Sequence, residues 1–217
     1  MNHGVVHIES FVEPNFGENA YVVDTGPDGV AWVIDPGLPP SPEEILDHMG
    51  RRRVRPVAIV LTHGHADHIA GVPEILRAFP RLPIHMAAAE RMLLTNPVLN
   101  LSMLGGFPVR VDADEHHDLE PPGPIALGST SWDIFDVSGH SLAGRALYCA
   151  EAGAVIVGDA LFQGSIGRTD FPGSDHEKLL RNIRAHLFTL PDNTRVYSGH
   201  GPVTTIGVEK RTNPFLS

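Results

Sequence analysis

The stretch Thr62-His63-Gly64-His65-Ala66-Asp67-His68 follows the apolar run Val57 to Leu61 and opens a helix expected over residues 68–79. Three imidazoles and a carboxylate in so short a segment are hard to explain as a polar loop. Packed against a buried strand, they would leave unpaired polar groups in a dry environment. In extended backbone His63 and His65, two residues apart, project to the same side and can share one ion. Asp67 and His68 lie past the bend and can serve another. Gly64 and Ala66 are small enough for the backbone to turn closely around both. The spacing therefore predicts two adjacent metals.

The whole composition suits that chemistry. The chain has 217 residues with 13 His beside one Cys. Imidazole with carboxylate is the ligand set for zinc, iron or manganese, and a single thiol, Cys149, excludes an internal disulfide and a Cys-based zinc cluster. Lys plus Arg number 16 against 26 Asp plus Glu, a net charge of −10 with neutral His. That acidity argues against nucleic acid or an anionic membrane as partner and favours a small molecule. With 42% hydrophobic and 19% charged residues the chain can bury a sizeable core. Its length is that of one domain, residues 1–217. Met1 to Ser10 lacks the basic and apolar regions of a signal peptide, and no apolar run approaches the ~18 residues of a membrane span. The cytoplasm is the default location, and a homo-oligomer is compatible with everything in the sequence.

Working outward, β-branched runs at Val5 to Ile8, Ala20 to Val23, Val30 to Ile34 and Val57 to Leu61 read as strands. A helix capped at Ser41-Pro42-Glu43-Glu44 and ended by Gly50 separates the last two. The basic run Arg51 to Arg55 complements that helix's dipole. A further helix is expected over 87–94, stopped by Pro97, and residues 95–124 are rich in loops. Strands return at Trp132 to Val137, Arg145 to Ala150, Val155 to Val157 and Thr194 to Tyr197. Ser174-Asp175-His176-Glu177 has capping-box spacing before a helix with Leu180, Ile183 and Leu187 on its apolar face. Strand runs lead into Asp35, His63, His140, Asp159 and His200. Strand ends along one edge of a layered sheet are where a fold collects ligands from distant sequence.

These residues carry a resemblance to the metallo-β-lactamase superfamily, whose H-x-H-x-D-H stands here as His63 to His68. Asp35-Pro36-Gly37, Gly139-His140, Gly158-Asp159 and Gly199-His200 follow in that family's order. The resemblance implies an α/β fold, an αββα sandwich with the metals at one edge of its two sheets. By position it implies that His63, His65 and His140 hold the first of two divalent ions, zinc first with iron or manganese as alternatives. Asp67, His68 and His200 would hold the second, Asp159 would bridge both, and Asp35 would support a ligand from behind. Seven nitrogen and oxygen ligands without thiolate are also too many for one closed tetrahedral ion, which marks the site as catalytic.

Gly164-Ser165-Ile166-Gly167-Arg168-Thr169-Asp170-Phe171-Pro172, Gly199-His200-Gly201-Pro202 and Glu209-Lys210-Arg211-Thr212-Asn213-Pro214-Phe215 look like the short glyoxalase II-like hydrolases. That resemblance implies a thioesterase acting on a glutathione thioester, S-lactoylglutathione. A metal-bridging hydroxide would attack the carbonyl, with Asp67 in the catalytic set, and the thiolate would leave. Arg168, Lys210 and Arg211 are the candidate clamps for the glutathione carboxylates. The same Gly-Arg-Thr-Asp-Phe element occurs in persulfide dioxygenases, which implies as an alternative one iron on His63, His140 and Asp159. A lactonase or β-lactamase is a third reading. Ser141-Leu142-Ala143-Gly144 departs from the relatives' T-P-G-S after the histidine. His85 is expected to pack, His116-His117 to be solvated, and His3, His7, His48, His176 and His186 show no partner pattern. Cys149, Trp32 and Trp132 are expected in the core.

Overall fold

Alternation along the strands sets the architecture. In the computed structural model, which describes residues 6–216, β3 (Val30–Ile34) turns Ala31 and Val33 to one apolar cluster and Trp32 and Ile34 to another. A strand buried on both faces needs a cover on each, and two sheets stacked between helices supply it. The first six-stranded sheet has the order β1 (His7–Val12), β2 (Asn19–Asp24), β3, β4 (Arg55–Val60), β5 (Ile84–Met86), β6 (His116–Asp118). The second has the order β14 (Thr204–Thr205), β13 (Arg195–Ser198), β10 (Ala154–Gly158), β9 (Arg145–Cys149), β8 (Thr130–Asp136), β7 (Pro124–Leu127). β11 (Leu161–Phe162) and β12 (Ser165–Ile166) form a separate small hairpin.

Ile45 and Met49 of α1 (Ser41–Arg52), Ile69 of α2 (Ala66–Ile69), Ile75 of α3 (Val72–Ala78) and Leu94 of α4 (Arg91–Thr95) pack on the outer face of the first sheet. Leu179 of α6 (His176–Asn182), the wider turn Ile183–Leu187 that continues it, and Ile206 of α7 (Ile206–Thr212) cover the second. α5 (Ser102–Gly105) lies in the connection to β6. Between the sheets, Trp32 and Trp132 meet edge to face with ring centroids 5.7 Å apart, and Cys149 is buried in the same layer. Burial pushes its thiol up, so it behaves as a small hydrophobe. Among the described residues no helix is long and apolar enough to cross a membrane.

Several boundaries differ from expectation. Val5 lies outside the described residues, and β1 extends to Val12. The helix expected over 68–79 is two: Gly71 donates to the Pro36 carbonyl at 2.7 Å and Pro73 opens α3, so the chain breaks between them. The cap of α6 is Asp175, one residue beyond the expected serine, because its carboxylate accepts from the Lys178 amide. α1 runs past Gly50 and ends on Arg53 in left-handed backbone. Its basic end is satisfied locally: Arg52 grips Asp24 through two 2.9 Å bonds and Arg53 grips Asp28. His116 and His117 lie on the edge strand β6; His117 is exposed, as expected, and stacks on His85 with ring centroids 4.9 Å apart.

The topology gathers the strand ends. β3 is parallel to β4 and β10 to β13, while β8 and β10 both run antiparallel to β9. Asp35, His63, His140, Asp159 and His200 therefore emerge along one edge. There Arg145 donates its amide to the Thr62 carbonyl, and Tyr21 Oη and Asn19 Nδ2 donate to the Ser198 carbonyl, sewing sheet to sheet. Trp132 is fully buried at the centre of the inter-sheet layer. Trp132→Ala is expected to cost about 3–5 kcal/mol in equilibrium urea unfolding; a loss below about 1 kcal/mol would show that the two sheets do not depend on this contact.

Candidate metal centre

Each donor at this edge has a local cause for its position. His63 lies three residues past the end of β4, His65 stands at the N-cap of the short α2, and Asp67 and His68 occupy its first turn. His63, His65 and His140 present one donor atom each, all within 4.8 Å of one another, and so do Asp67, His68 and His200. Asp159 stands between the two sets. Its Oδ1 is 3.3 Å from His68 Nε2, and its Oδ2 is 3.5 Å from His140 Nε2 and 3.6 Å from His200 Nε2. Asp67 Oδ2 is 3.3 Å from His200 Nε2.

His65 Nδ1 and His140 Nε2 stand closer, 2.9 Å apart; the longer separations decide what the other donors fit. A good hydrogen bond between such atoms is about 2.7–3.2 Å, whereas two ligands on a tetrahedral ion with bonds of about 2.0–2.2 Å stand about 3.3–3.6 Å apart. His63 Nε2, His68 Nε2 and Asp159 Oδ1 are all buried without a hydrogen-bond partner. Unpaired buried donors turned toward one another are what a cation would satisfy.

The far nitrogen of the rings is held, which fixes which one points inward. His140 Nδ1 donates to the Arg168 carbonyl at 2.8 Å, and His200 Nδ1 to the Phe16 carbonyl at 3.1 Å. His63 Nδ1 lies 3.1 Å from Thr62 Oγ1, and His68 Nδ1 3.1 Å from Asp35 Oδ2. Asp35 itself sits in left-handed backbone at φ 45° and accepts from the Thr62 amide at 2.8 Å and the Thr62 hydroxyl at 2.6 Å. It stands behind His68 rather than among the inward donors. The strained backbone at a residue so tightly held is the kind a site retains.

Electrostatics agree. Burial and the neighbouring imidazoles keep His63 well below its usual value, and burial with His140 brings His65 down to about 3, so both stay neutral and able to ligate. At His68 burial opposes the charge, but Asp159 and Asp67 outweigh it and hold the ring well above its ordinary value. The same contest raises His200, through Asp67 and Asp159. Burial raises Asp67 and Asp159, yet the facing imidazoles carry both below the usual carboxylate range. Two imidazoles kept neutral, His63 and His65, thus stand beside two, His68 and His200, that the carboxylates Asp67 and Asp159 favour in the charged form.

Glycine is required at Gly199, where a Cβ would collide with Asp159 Oδ1 and lie 2.7 Å from His68 Cε1. Two other residues escaped the sequence reading. Buried Glu90 accepts from the Gly64 amide at 3.0 Å and from the Ala143 amide at 2.7 Å, tying the His63–His68 segment to the loop after His140. That brace holds the Ser141-Leu142-Ala143-Gly144 loop despite its departure from the family pattern. Glu18 is buried beside His68 with neither oxygen hydrogen-bonded, and burial pushes it well above the usual carboxylate range. A glutamate in a helical run carries no signal that separates such a brace from a solvated face.

The donors open onto a cavity of about 580 Å³. Its walls come from Phe16, from Leu101, Leu104 and Phe107 around α5, and from Phe162, Ile166 and Phe171. Arg168 lines it as expected, but its guanidinium is engaged by Asp170 at 2.6 and 2.7 Å and lies 4.2 Å over the Phe171 ring. Lys210 and Arg211, expected as clamps, are not among its lining residues. On α7 Lys210 bonds Asp192 at 2.8 Å and the Leu190 carbonyl, and Arg211 lies 3.9 Å from Asp192. The tail acts instead through Glu209 and Asn213, which bond the Gly164 amide and the Ser165 carbonyl and so brace a cavity wall.

The sequence profile of the metallo-β-lactamase superfamily matches residues 14–200. The chain belongs to the metallo-β-lactamase superfamily. It is 38% identical over 205 residues to a probable metallo-hydrolase of Streptococcus pyogenes, covering 92% of this chain and 86% of that one. It is 34% identical to the hydroxyacylglutathione hydrolase GloC of Haemophilus influenzae, over 86% of this chain and 87% of that one. Among solved structures, the BLEG-1 B3 metallo-β-lactamase superposes with a TM-score of 0.91 at 36% identity, over 97% of this chain and all of that one. TTHA1623 in a di-iron-bound form superposes with a TM-score of 0.83 at 34% identity, over 96% of this chain and all of that one. The chain is a metallo-hydrolase of this superfamily, whose members bind divalent metals, often in pairs.

Two substitutions test the arrangement. Asp35→Asn puts an amide where Thr62 and His68 donate, and zinc affinity measured against a competing chelator is expected to fall about 10–100-fold. Gly199→Ala is expected to lower it at least as far while far-ultraviolet circular dichroism stays unchanged. Wild-type affinity in both variants would overturn the roles assigned to these two positions.

Proposed function

We propose that this metallo-hydrolase is a glyoxalase II-like thioesterase that cleaves a hydroxyacyl thioester of glutathione, S-lactoylglutathione being the substrate to test. The observation that carries it is the inventory of titratable groups facing the cavity. Those are His65, Asp67, His140, Asp159, His200 and Arg168. Every one except Arg168 is a candidate metal ligand, and Arg168 is paired with Asp170. Among the described lining residues no uncommitted acid is left to protonate a leaving group. A thiol, with a pKa near 8.5, departs as thiolate without that help, whereas an amine or alkoxide needs it.

The residues fit two ions, with His63, His65 and His140 at one, Asp67, His68 and His200 at the other, and Asp159 between them. Divalent ions there supply Lewis acidity and lower the pKa of water toward neutrality. The chain's own groups do the rest. Asp67, a quarter exposed and held ionised by His68 and His200, faces the cavity in the form that would ligate the second ion. The Arg168 and Phe16 carbonyls keep His140 and His200 from turning away. Phe16, Phe162 and Phe171 exclude bulk water, which strengthens each polar contact at the reacting carbonyl. The relationship to a protein named hydroxyacylglutathione hydrolase supports the choice of acyl donor.

Purified, metal-replete protein is expected to release free thiol from S-lactoylglutathione, and His140→Ala to lower kcat/KM by at least about a hundredfold. Oxygen consumption with glutathione persulfide, or hydrolysis of a β-lactam, with the thioester left intact would contradict the proposal.

A further inference from the structure

At the other end of the first sheet a second group of donors comes together. β2 begins at Asn19, whose amide reaches the Gly199 carbonyl beside the metal centre, and ends at Asp24. Asp24 is fully buried, pairs with His7 across the β1–β2 ladder, and faces His48 on α1. One donor atom each from His7, Asp24 and His48 lies within 4.8 Å of the others. His7 Nδ1 and Asp24 Oδ2 are 3.4 Å apart, again the separation of two ligands on a tetrahedral ion rather than of a hydrogen-bonded pair.

Two nitrogens here have no partner. His7 Nδ1 and His48 Nε2 are both inaccessible and unbonded, and His48 as a residue is only 9% exposed. A buried imidazole nitrogen left unpaired is costly unless something satisfies it. The rings are nevertheless fixed: they stack with an interplanar angle of 14°, and Phe11 meets His48 edge to face with centroids 5.4 Å apart. On the far side of the ring, His7 Nε2 lies 3.7 Å from Glu9 Oε2, beyond hydrogen-bond distance, where the carboxylate adds negative charge beside the ring. Burial lowers the pKa of His48, which keeps it in the neutral form that binds metal.

Asp24 has room for the role. Its Oδ1 accepts from the Gly26 amide and Arg52, and its Oδ2 accepts one bond from Arg52, which leaves a lone pair toward His7. Arg52 brings a positive charge, and Asp24 and Glu9 together outweigh it. We propose that His7, Asp24 and His48 bind one divalent transition metal, zinc first among them, as a brace that fastens β1 and β2 to α1. Two imidazoles and a carboxylate are a zinc ligand set, and the half-exposed side of His7 leaves the fourth position to water. The brace is independent of the reaction assigned to the catalytic edge.

The test counts zinc bound per chain, by competition with a chromophoric chelator at neutral pH, in wild type, His7→Ala and His48→Ala. Each variant is expected to bind one equivalent fewer than wild type while keeping wild-type thioester hydrolysis. The comparison holds whether the catalytic edge takes one ion or two. Should His48→Ala fail to fold, His7→Ala, at a half-exposed strand position, decides alone. Equal stoichiometry in wild type and the folded variants would overturn the brace.

Discussion

Everything at the working edge depends on a concentration of buried polar atoms that do not satisfy one another. His63 Nε2, His68 Nε2 and Asp159 Oδ1 have no hydrogen-bond partner, and although His65 Nδ1 and His140 Nε2 stand 2.9 Å apart, the separations of 3.3–3.6 Å around Asp159 and Asp67 exceed a hydrogen bond. Such an arrangement is unstable by itself in a dry setting. It persists because the structure around it is over-determined: Asp35, Thr62 and the carbonyls of Arg168 and Phe16 hold the ligands' outer atoms, and Glu90 holds the backbone that carries them, while the inner ones face each other. Positive charge is the natural complement to this geometry, and the superfamily supplies it as divalent metal.

The scaffold makes that arrangement with ordinary means. Parallel pairing within each sheet sends the carboxyl ends of β3, β4, β10 and β13 to one edge. The inter-sheet layer around Trp32 and Trp132 keeps the two sheets in register, and the bonds to the Ser198 carbonyl close the layer beside the site. Apolar side chains from three separate segments then build a cavity over the donors.

Much of this was legible in the chain, for a physical reason. The strand-end donors and the His63–His68 segment announce themselves because carboxylate and imidazole are rare directly after strands buried on both faces. The paired strands β9 and β10 and the helices α1 and α6 were also plain from pattern, although α1 starts after Pro40 with no side-chain cap bond and Ser41, expected as its cap, is its first residue. What escaped depends on contacts between distant segments. Glu90 looks like any helical glutamate until Gly64 and Ala143 arrive at its two oxygens. Lys210 and Arg211 look like anion clamps until α7 turns them to Asp192. His7 and His48 showed no pattern because one lies on a strand, the other on a helix, and Asp24 joins them only after the sheet forms. The caps moved by a residue, to Asp175, where local geometry and not residue type decides.

The most direct test of the central claim is X-ray absorption spectroscopy at the zinc edge of zinc-loaded protein carrying His7→Ala, which isolates the catalytic edge. The account predicts a first shell of nitrogen and oxygen at about 2.0–2.1 Å, no sulfur, and a metal–metal vector at about 3.5–4 Å. A sulfur shell, or full zinc loading with no metal–metal vector, would contradict it.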